Sequence, residues 1–389
     1  MKQFLILLLT VTILFQGCRT NQPDIVKFSS STDTLLIRTQ KQRGSGLFSL
    51  GVSSCHFKNI TDSFPYPIIY PEDIDGLERM QMGTDFWAEE MTYIDVIKGQ
   101  IGDSSVFVID ENNNKDLTDD SVRHFRPINW KSKDNLIKLK YTVTKDGQEF
   151  EDSSWLRIGT LNGDLWNGRS EHLIADFYID DDFFRIGIVT PRGGDFTYKL
   201  LPEVALLTHN SSFKDSLMVK DILQKGEFLK LKDTYYRFDS LSYFGKWLQL
   251  VKVNDFDQMV GTQVGMIAPE FTCVTVAGDT LNSNNLHNRI IILANSCGCG
   301  GDKESTQVYY DILEEYGDNI HIIHIDSRIA SGESGFQVET ENEFNKDIYN
   351  NYRQAYCSRT IYVIDTNNRI LDKFQSWDWE LYLPQLLNR

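Results

Sequence analysis

Beyond its first twenty residues this chain has no apolar run long enough to span a bilayer, which excludes a helical membrane body. Positive charge is in deficit: 39 Lys and Arg stand against 55 Asp and Glu, a net charge of −16. That balance excludes a nucleic-acid-binding surface and gives an acidic exterior. Cysteine is scarce, six in 389 residues. With Cys18 set aside the number is odd, which excludes a simple disulfide-stapled scaffold. No exact internal repeat and no low-complexity segment is present, so neither a repeat array nor a biased tract organises the chain. What remains is a hydrophobic content of 41% and an aromatic content of 12%, enough for a substantial core. The length suits two or three domains.

The N-terminus is the apolar exception. Met1-Lys2 leads into an apolar run from Phe4 to Phe15, then Gln16-Gly17-Cys18. A positive start, a short hydrophobic stretch and a small residue directly before cysteine match the bacterial lipoprotein cleavage pattern. The expectation is a signal peptide over 1–17, acylation of Cys18 and a polar tether over 18–32. The protein would then be held on the bilayer, facing the periplasm or the cell exterior.

From 33 to 255, short β-type runs follow one another, among them Thr34–Arg38, 105–109, 136–143, 183–189 and 235–238. Gly, Asn and Asp clusters separate them, and Lys145-Asp146-Gly147-Gln148 has hairpin-turn chemistry. A β-rich N-terminal module is predicted. Within it, Asp110-Glu-Asn-Asn-Asn-Lys-Asp116-Leu117 places oxygens at alternate positions, as a calcium loop does. Lys115 holds the glycine position, however, and Ser121 the acidic twelfth, so an Asx-rich turn is the favoured reading. Cys55, beside His56, is expected to be structural or a free thiol.

From 262 to 389 strand alternates with helix. Strands are predicted over 270–276, 289–294 and 320–325, followed by a hairpin of Thr360–Ile364 with 369–374 around Asn367-Asn368. Helices are predicted over Lys303–Tyr316 and over 339–352, the second with Phe344, Ile348 and Tyr352 on its apolar face. A closing helix spans Trp379–Leu387, broken or kinked by Pro384. Trp377 and Trp379 are expected to cap the core. Cys273 alternates with Phe271 and is expected inside it.

The most informative stretch is Leu293-Ala-Asn-Ser-Cys-Gly-Cys-Gly-Gly-Asp-Lys-Glu304. Cys297 and Cys299 stand where a hydrophobic strand hands over to a helix, whose positive end favours thiolate over thiol. The thiolate is the nucleophile of disulfide exchange. A disulfide across Cys-x-Cys closes a small strained ring, which Gly298 relieves in part. Strained disulfides are more oxidising, so the pair suits isomerase or oxidase work better than strong reduction. Cys297 is expected to attack and Cys299 to resolve, with Gly300-Gly301 exposing backbone N–H groups to the thiolate.

Several motifs in this region resemble the redoxin branch of the thioredoxin superfamily, which includes membrane-tethered thiol-disulfide oxidoreductases and peroxiredoxins. They are Gly265-Met-Ile-Ala-Pro-Glu-Phe271, Asp279-Thr-Leu281 with Leu286, the strand entering Cys297, and Thr360-Ile-Tyr-Val-Ile-Asp365. The resemblance covers about a third of the chain. It implies an α/β thioredoxin-like C-terminal domain, a central mixed sheet flanked by helices, behind a β-rich N-terminal domain. It also brings Cys357 and Arg359 to the same pocket, Cys357 as a further resolving thiol and Arg359 to lower a thiol pKa or orient substrate. Glu304 is the family-like acidic residue for proton handling. Two departures stand out. The family's reductases carry Trp-Cys-x-x-Cys rather than Cys-Gly-Cys, and Arg359 occupies the place of a cis-proline facing the site. Arg359 instead looks peroxiredoxin-like, yet Ile290 and Ala294 replace the proline and threonine that peroxiredoxins need.

The leading expectation is an extracytoplasmic thiol-disulfide oxidoreductase acting on protein thiols with an unidentified redox partner. A thiol-dependent peroxidase and an inactive redoxin-fold envelope lipoprotein are the alternatives. No cofactor is implied. Cu(I) or Zn at Cys297, Cys299 and Cys357 is the least favoured reading, because His287, His321 and His324 all precede the late loop.

Overall fold

The computed structural model describes residues 25–85, 88, 90–129, 133, 135–190, 196–209, 212–296, 303–326, 336–339, 342–353 and 358–387. Cys18, Cys297, Cys299 and Cys357 lie outside that set.

Alternation builds the N-terminal half. In Thr34–Arg38, Leu35 and Ile37 are fully buried while their neighbours face out, the period of two that a half-buried strand requires. This strand joins Phe228–Leu231, Thr234–Leu241 and Trp247–Val253 in a four-stranded sheet. A six-stranded sheet built on Glu171–Ile179 and Asp182–Val189 shares its core: Leu35, Phe238 and Leu250 meet Phe177, Ile186 and Ile188. The chain between 53 and 169 makes a second such pair of sheets. There a five-stranded sheet around Tyr93–Ile101 packs on a four-stranded one around Gln148–Leu161 through Ile94, Val96, Leu139, Tyr141 and Leu156. The predicted hairpin turn is present, with Lys145 paired to Gln148 and Asp146 and Gly147 at φ 53° and 70°.

The suspected calcium loop is a run of Asx turns. Asp110 Oδ1 and Oδ2 accept from the backbone N–H of Asn114 and Lys115 at 3.0 and 2.9 Å, and Asn112 and Asn114 each accept from a backbone two residues on.

Charge is buried where the chain returns from the second pair of sheets to the first, at Arg169-Ser-Glu171. The Arg169 guanidinium donates to Glu171 Oε1 at 3.1 and 2.5 Å, and the Tyr198 hydroxyl donates to the same oxygen at 3.0 Å. Burial opposes ionisation of Glu171. Arg169 and Lys41 outweigh it and hold the carboxyl below its usual range.

In the C-terminal domain β1 (Thr272–Val274) and β2 (Thr280–Asn282) form a small hairpin. The main sheet contains β3 (Ile290–Asn295), β4 (Ile320–Asp326), β5 (Phe336–Glu339), β6 (Thr360–Ile364) and β7 (Ile370–Gln375) in the order β5-β4-β3-β6-β7. β3, β4 and β5 run parallel; β6 and β7 are antiparallel to their neighbours. Helix α1 (Lys303–Tyr316) crosses from β3 to β4, and α2 (Trp379–Leu387) follows β7. Both faces of β3 are covered: Ile291 and Leu293 pack with Ile348 and Tyr352, Ile292 and Ala294 with Tyr309 and Trp379.

Four expectations change. The strand at 270–276 is paired only over β1. The helix at 339–352 starts late: residues up to Glu339 belong to β5, Asn342 caps the turn by accepting from Phe344 N, and short 3-10 and α turns end in a π turn over Tyr349–Arg353. Phe344 is accordingly 70% exposed, whereas Ile348 and Tyr352 are buried as read. Pro384 does not break α2. The helix runs on through it to Leu387, Gln385 Nε2 donates to the Leu381 carbonyl at 2.8 Å, and Trp379, Leu383 and Leu386 are buried. Trp379 caps the core, but Trp377 is 64% exposed.

The N-terminal sheets and this domain are tied directly. Lys220 Nζ contacts both Asp372 carboxylate oxygens at 2.9 and 3.0 Å, and Gln263 bonds the backbone N–H and C=O of Phe228 at 2.7 and 3.0 Å.

Replacing Glu171 with Gln leaves Arg169 buried beside a neutral partner and is expected to cost about 3–5 kcal/mol in urea unfolding. Because the folded carboxyl titrates below the usual value of about 4.3, its contribution is present above that pH and is lost as pH falls through the depressed folded value. The variant's stability is therefore expected to fall less steeply than the parent's on acidification below about pH 4.3.

Candidate thiol site

Strand β3 ends at Asn295, Ser296 follows, and α1 begins at Lys303, so described chain brackets the cysteine pair on both sides. The expected nucleophile Cys297, with Cys299 and Cys357, falls on residues outside the description, as does Cys18, the expected lipidation site. Ser296, directly before Cys297, and Ser358, directly after Cys357, are described, and the surroundings of Ser296 are polar and buried.

Asn295 is 1% exposed, and its Nδ2 donates to the carbonyls of Tyr352 at 3.1 Å and Thr360 at 2.8 Å. One amide thus holds the end of β3 against both the π turn and the start of β6. Arg359 precedes Thr360 directly; its carbonyl accepts from Ser376 N at 2.8 Å, and its side chain is half-buried. The chain leading into Cys297 and the chain leaving Cys357 are therefore neighbours.

Behind Ser296 lies a layer that sequence reasoning missed. Arg353, 2% exposed, donates through Nη1 to the carbonyls of Ser296 at 2.9 Å and Ile325 at 3.0 Å. The first is the carbonyl of the peptide joining Ser296 to Cys297. Ser296 Oγ shares a 2.6 Å hydrogen bond with Nε2 of His324, which is buried and stacks on Tyr309 at 4.5 Å between ring centroids. The available signal for Arg353 was the apolar spacing of Ile348 and Tyr352. A regular helix turns the residue after Tyr352 off that face, whereas the wide π turn keeps both Tyr352 and Arg353 inside.

The opening motif supports this layer from below. The Tyr352 hydroxyl donates to the Pro269 carbonyl at 2.5 Å, and the ring meets Phe271 edge-on at 5.8 Å. Burial pushes the Tyr352 hydroxyl pKa well up, so it stays a neutral donor. Gly265, at φ 95°, passes its carbonyl to Arg369 Nη1 at 2.9 Å, a backbone angle that favours glycine.

Glu304 sits in the first turn of α1 and is exposed, where a carboxylate favours the helix dipole. Ile290 and Ala294 are β3 residues with no hydroxyl to offer. Cys273 is fully buried and Cys55 half-buried with its sulfur accepting from Asn167 Nδ2 at 3.2 Å; burial pushes both thiols up to about 11, away from nucleophilic use. Among the described residues, no group of His, Cys, Asp and Glu is arranged to hold a metal ion.

No protein-family model and no curated protein matches the chain. Among solved structures, it is similar to the thioredoxin domain of a thiol-disulfide oxidoreductase from Bacteroides vulgatus, at 16% identity and TM-score 0.28, covering 32% of this chain and 98% of that one. A putative protein disulfide isomerase from Bacteroides thetaiotaomicron matches at 15% identity and TM-score 0.28, covering 33% and 87%. The mitochondrial 2-Cys peroxiredoxin from Plasmodium falciparum matches at 16% identity and TM-score 0.25, covering 32% and 90%. The assignment of fold rests on the chain's own topology: a β3-α1-β4 crossover, a β6-β7 hairpin beside β3, and a closing helix make the C-terminal domain thioredoxin-like.

Proposed function

We propose that the chain is an extracytoplasmic thiol-disulfide oxidoreductase, tethered to the bilayer through acylated Cys18, that exchanges disulfides with protein thiols at Cys297 and Cys299. The observation that carries this reading is the buried Arg353 guanidinium on the Ser296 carbonyl, one residue before Cys297. A fixed cation beside a thiol favours its anion, the form that attacks. In the oxidising direction a substrate thiolate opens the Cys297–Cys299 disulfide, forming a mixed disulfide at Cys297 and releasing the Cys299 thiolate. A second substrate thiol then displaces Cys297, and the substrate leaves oxidised with the pair reduced. An external redox partner returns the pair to the disulfide. Cys357 and Arg359 act beside the pair, the first as an alternative resolving thiol.

A thiol-dependent peroxidase is the second reading, favoured by Arg359 standing next to the strand end that Asn295 ties to Thr360. The apolar side chains of Ile290 and Ala294 weigh against it, since neither positions a peroxide oxygen. An inactive envelope lipoprotein is the third.

Refolding of scrambled ribonuclease is expected to disappear in Cys297→Ser, while Cys299→Ser accumulates a mixed disulfide visible on non-reducing gels; undiminished refolding in Cys297→Ser sinks the assignment. Peroxide-dependent sulfenic acid on a single cysteine, without refolding activity, favours the peroxidase instead. Arg353→Gln is expected to raise the reactive thiol pKa by about one unit, slowing alkylation near neutral pH about tenfold, with Arg353→Lys intermediate. An unchanged pH profile of alkylation in a folded Arg353→Gln protein removes the electrostatic role. Cys18→Ala is expected to move the protein from the membrane to the soluble fraction of the envelope.

A further inference from the structure

A second site lies in the N-terminal module, far along the chain from the cysteines. A cavity of about 400 Å³ opens at the edge of the second pair of sheets, a size typical of small-molecule pockets. Its walls combine Phe107, Ile137 and Ile158 with the guanidinium-bearing residues Arg123, Arg126 and Arg157. Among the described residues no Asp or Glu lines it, in a chain whose net charge is −16. Such a concentration of one sign against the charge of the whole protein is what an anion site requires.

The cationic wall is built rather than incidental. Segment 126–128 is pinned to the strand Gln148–Leu161, with Thr160 N donating to the Arg126 carbonyl at 2.8 Å and Ile128 N to the Thr160 carbonyl at 3.0 Å. Gly159 makes that approach possible, because a Cβ there would lie 2.9 Å from Ile128 Cα and 3.0 Å from the Arg126 carbonyl oxygen. Arg123 is committed to Glu111 at 2.6 Å and frames the rim. Arg126 is exposed, and its side chain makes no hydrogen bond or ion pair among the described residues. Arg157 is half-buried in the same wall, and its planar fork of N–H donors exceeds what one partner can take.

We propose that this cavity binds a small amphipathic anion, its carboxylate or phosphate oxygens on Arg126 and Arg157 and its apolar body against Phe107, Ile137 and Ile158. Arginine suits either headgroup because its planar fork of donors matches both geometries. The site is independent of the thiol chemistry and makes the N-terminal module a ligand-binding one.

The test is isothermal titration of the full chain with octanoate, octyl phosphate and octan-1-ol, which share a tail and differ in head. At least one anion is expected to saturate a single site about tenfold or more tighter than the alcohol, and the tighter of the two identifies the headgroup. Arg126→Gln and Arg157→Gln are each expected to weaken the anion about tenfold while leaving the alcohol unchanged. Gly159→Ala, which displaces segment 126–128, weakens the anion as well. Equal affinity for alcohol and anions, no saturable binding up to millimolar ligand, or undiminished binding in a folded Arg126→Gln, Arg157→Gln double variant each overturns the proposal. The three-ligand comparison on the unaltered chain decides the matter even where a variant does not fold.

Discussion

Burying one guanidinium organises the C-terminal domain. Arg353 is enclosed in a thioredoxin-like fold, and a buried cation persists only when its donors meet acceptors. Here two acceptors are backbone carbonyls at the ends of adjacent parallel strands, Ser296 after β3 and Ile325 in β4. The same side chain therefore joins the C-terminal ends of two interior strands and sets a positive charge against the peptide that leads toward the cysteine pair. The π turn that carries Arg353 also supplies the Tyr352 carbonyl to Asn295 and the Tyr352 hydroxyl to Pro269. Moving any one of these groups leaves another buried and unpaired, which makes the layer behave as a unit.

The periodic parts of this layer could be read from the residues. β3, α1, β4 and the β6-β7 hairpin follow from hydrophobic patterning, because their apolar residues face two packed layers and the pattern has little choice. The N-terminal strands followed from alternation for the same reason, although which strands share a sheet did not. Strands as distant as Thr34–Arg38 and Trp247–Val253 pair across most of the module, and pairing at that distance leaves no local trace. The departures share a cause. At 339–352 a capping asparagine and a π turn replace a regular helix, so a template of 3.6 residues per turn wrongly turned Phe344 inward and left Arg353 unnoticed. His324 drew notice only as a metal donor; its partner Ser296 comes from the neighbouring strand, a contact no spacing rule reports.

Ions and side-chain amides tie the two halves of the chain together. Lys220 grips Asp372 on β7, and Gln263 completes the backbone of Phe228 as an added strand would. Tyr235 stacks flat on Phe256 at 3.7 Å in the same region. Such contacts fix orientation at modest energy, since partly exposed ion pairs contribute little each. The pairing matters because the sheets and the α/β domain are then held in a defined relation by named contacts.

Thiol reactivity in this chain is a question of which residues surround each sulfur. Cys273 is embedded in apolar packing and Cys55 meets a single amide donor, Asn167; loss of hydration is the largest influence on both and pushes each up to about 11, where almost no thiolate exists at neutral pH. The approach to Cys297 is buried too, but its surroundings are of another kind: a guanidinium, an imidazole, a hydroxyl and a carboxamide replace the side chains of Val, Ile and Phe. Burial without polar partners makes a thiol inert, whereas burial among fixed donors and a cation lowers the cost of the anion. A sequence that needed only a stable strand end at 295–296 has no reason to bury four polar side chains there. The strand end at 295–296 thus gathers four buried polar side chains, where Cys273 meets apolar ones.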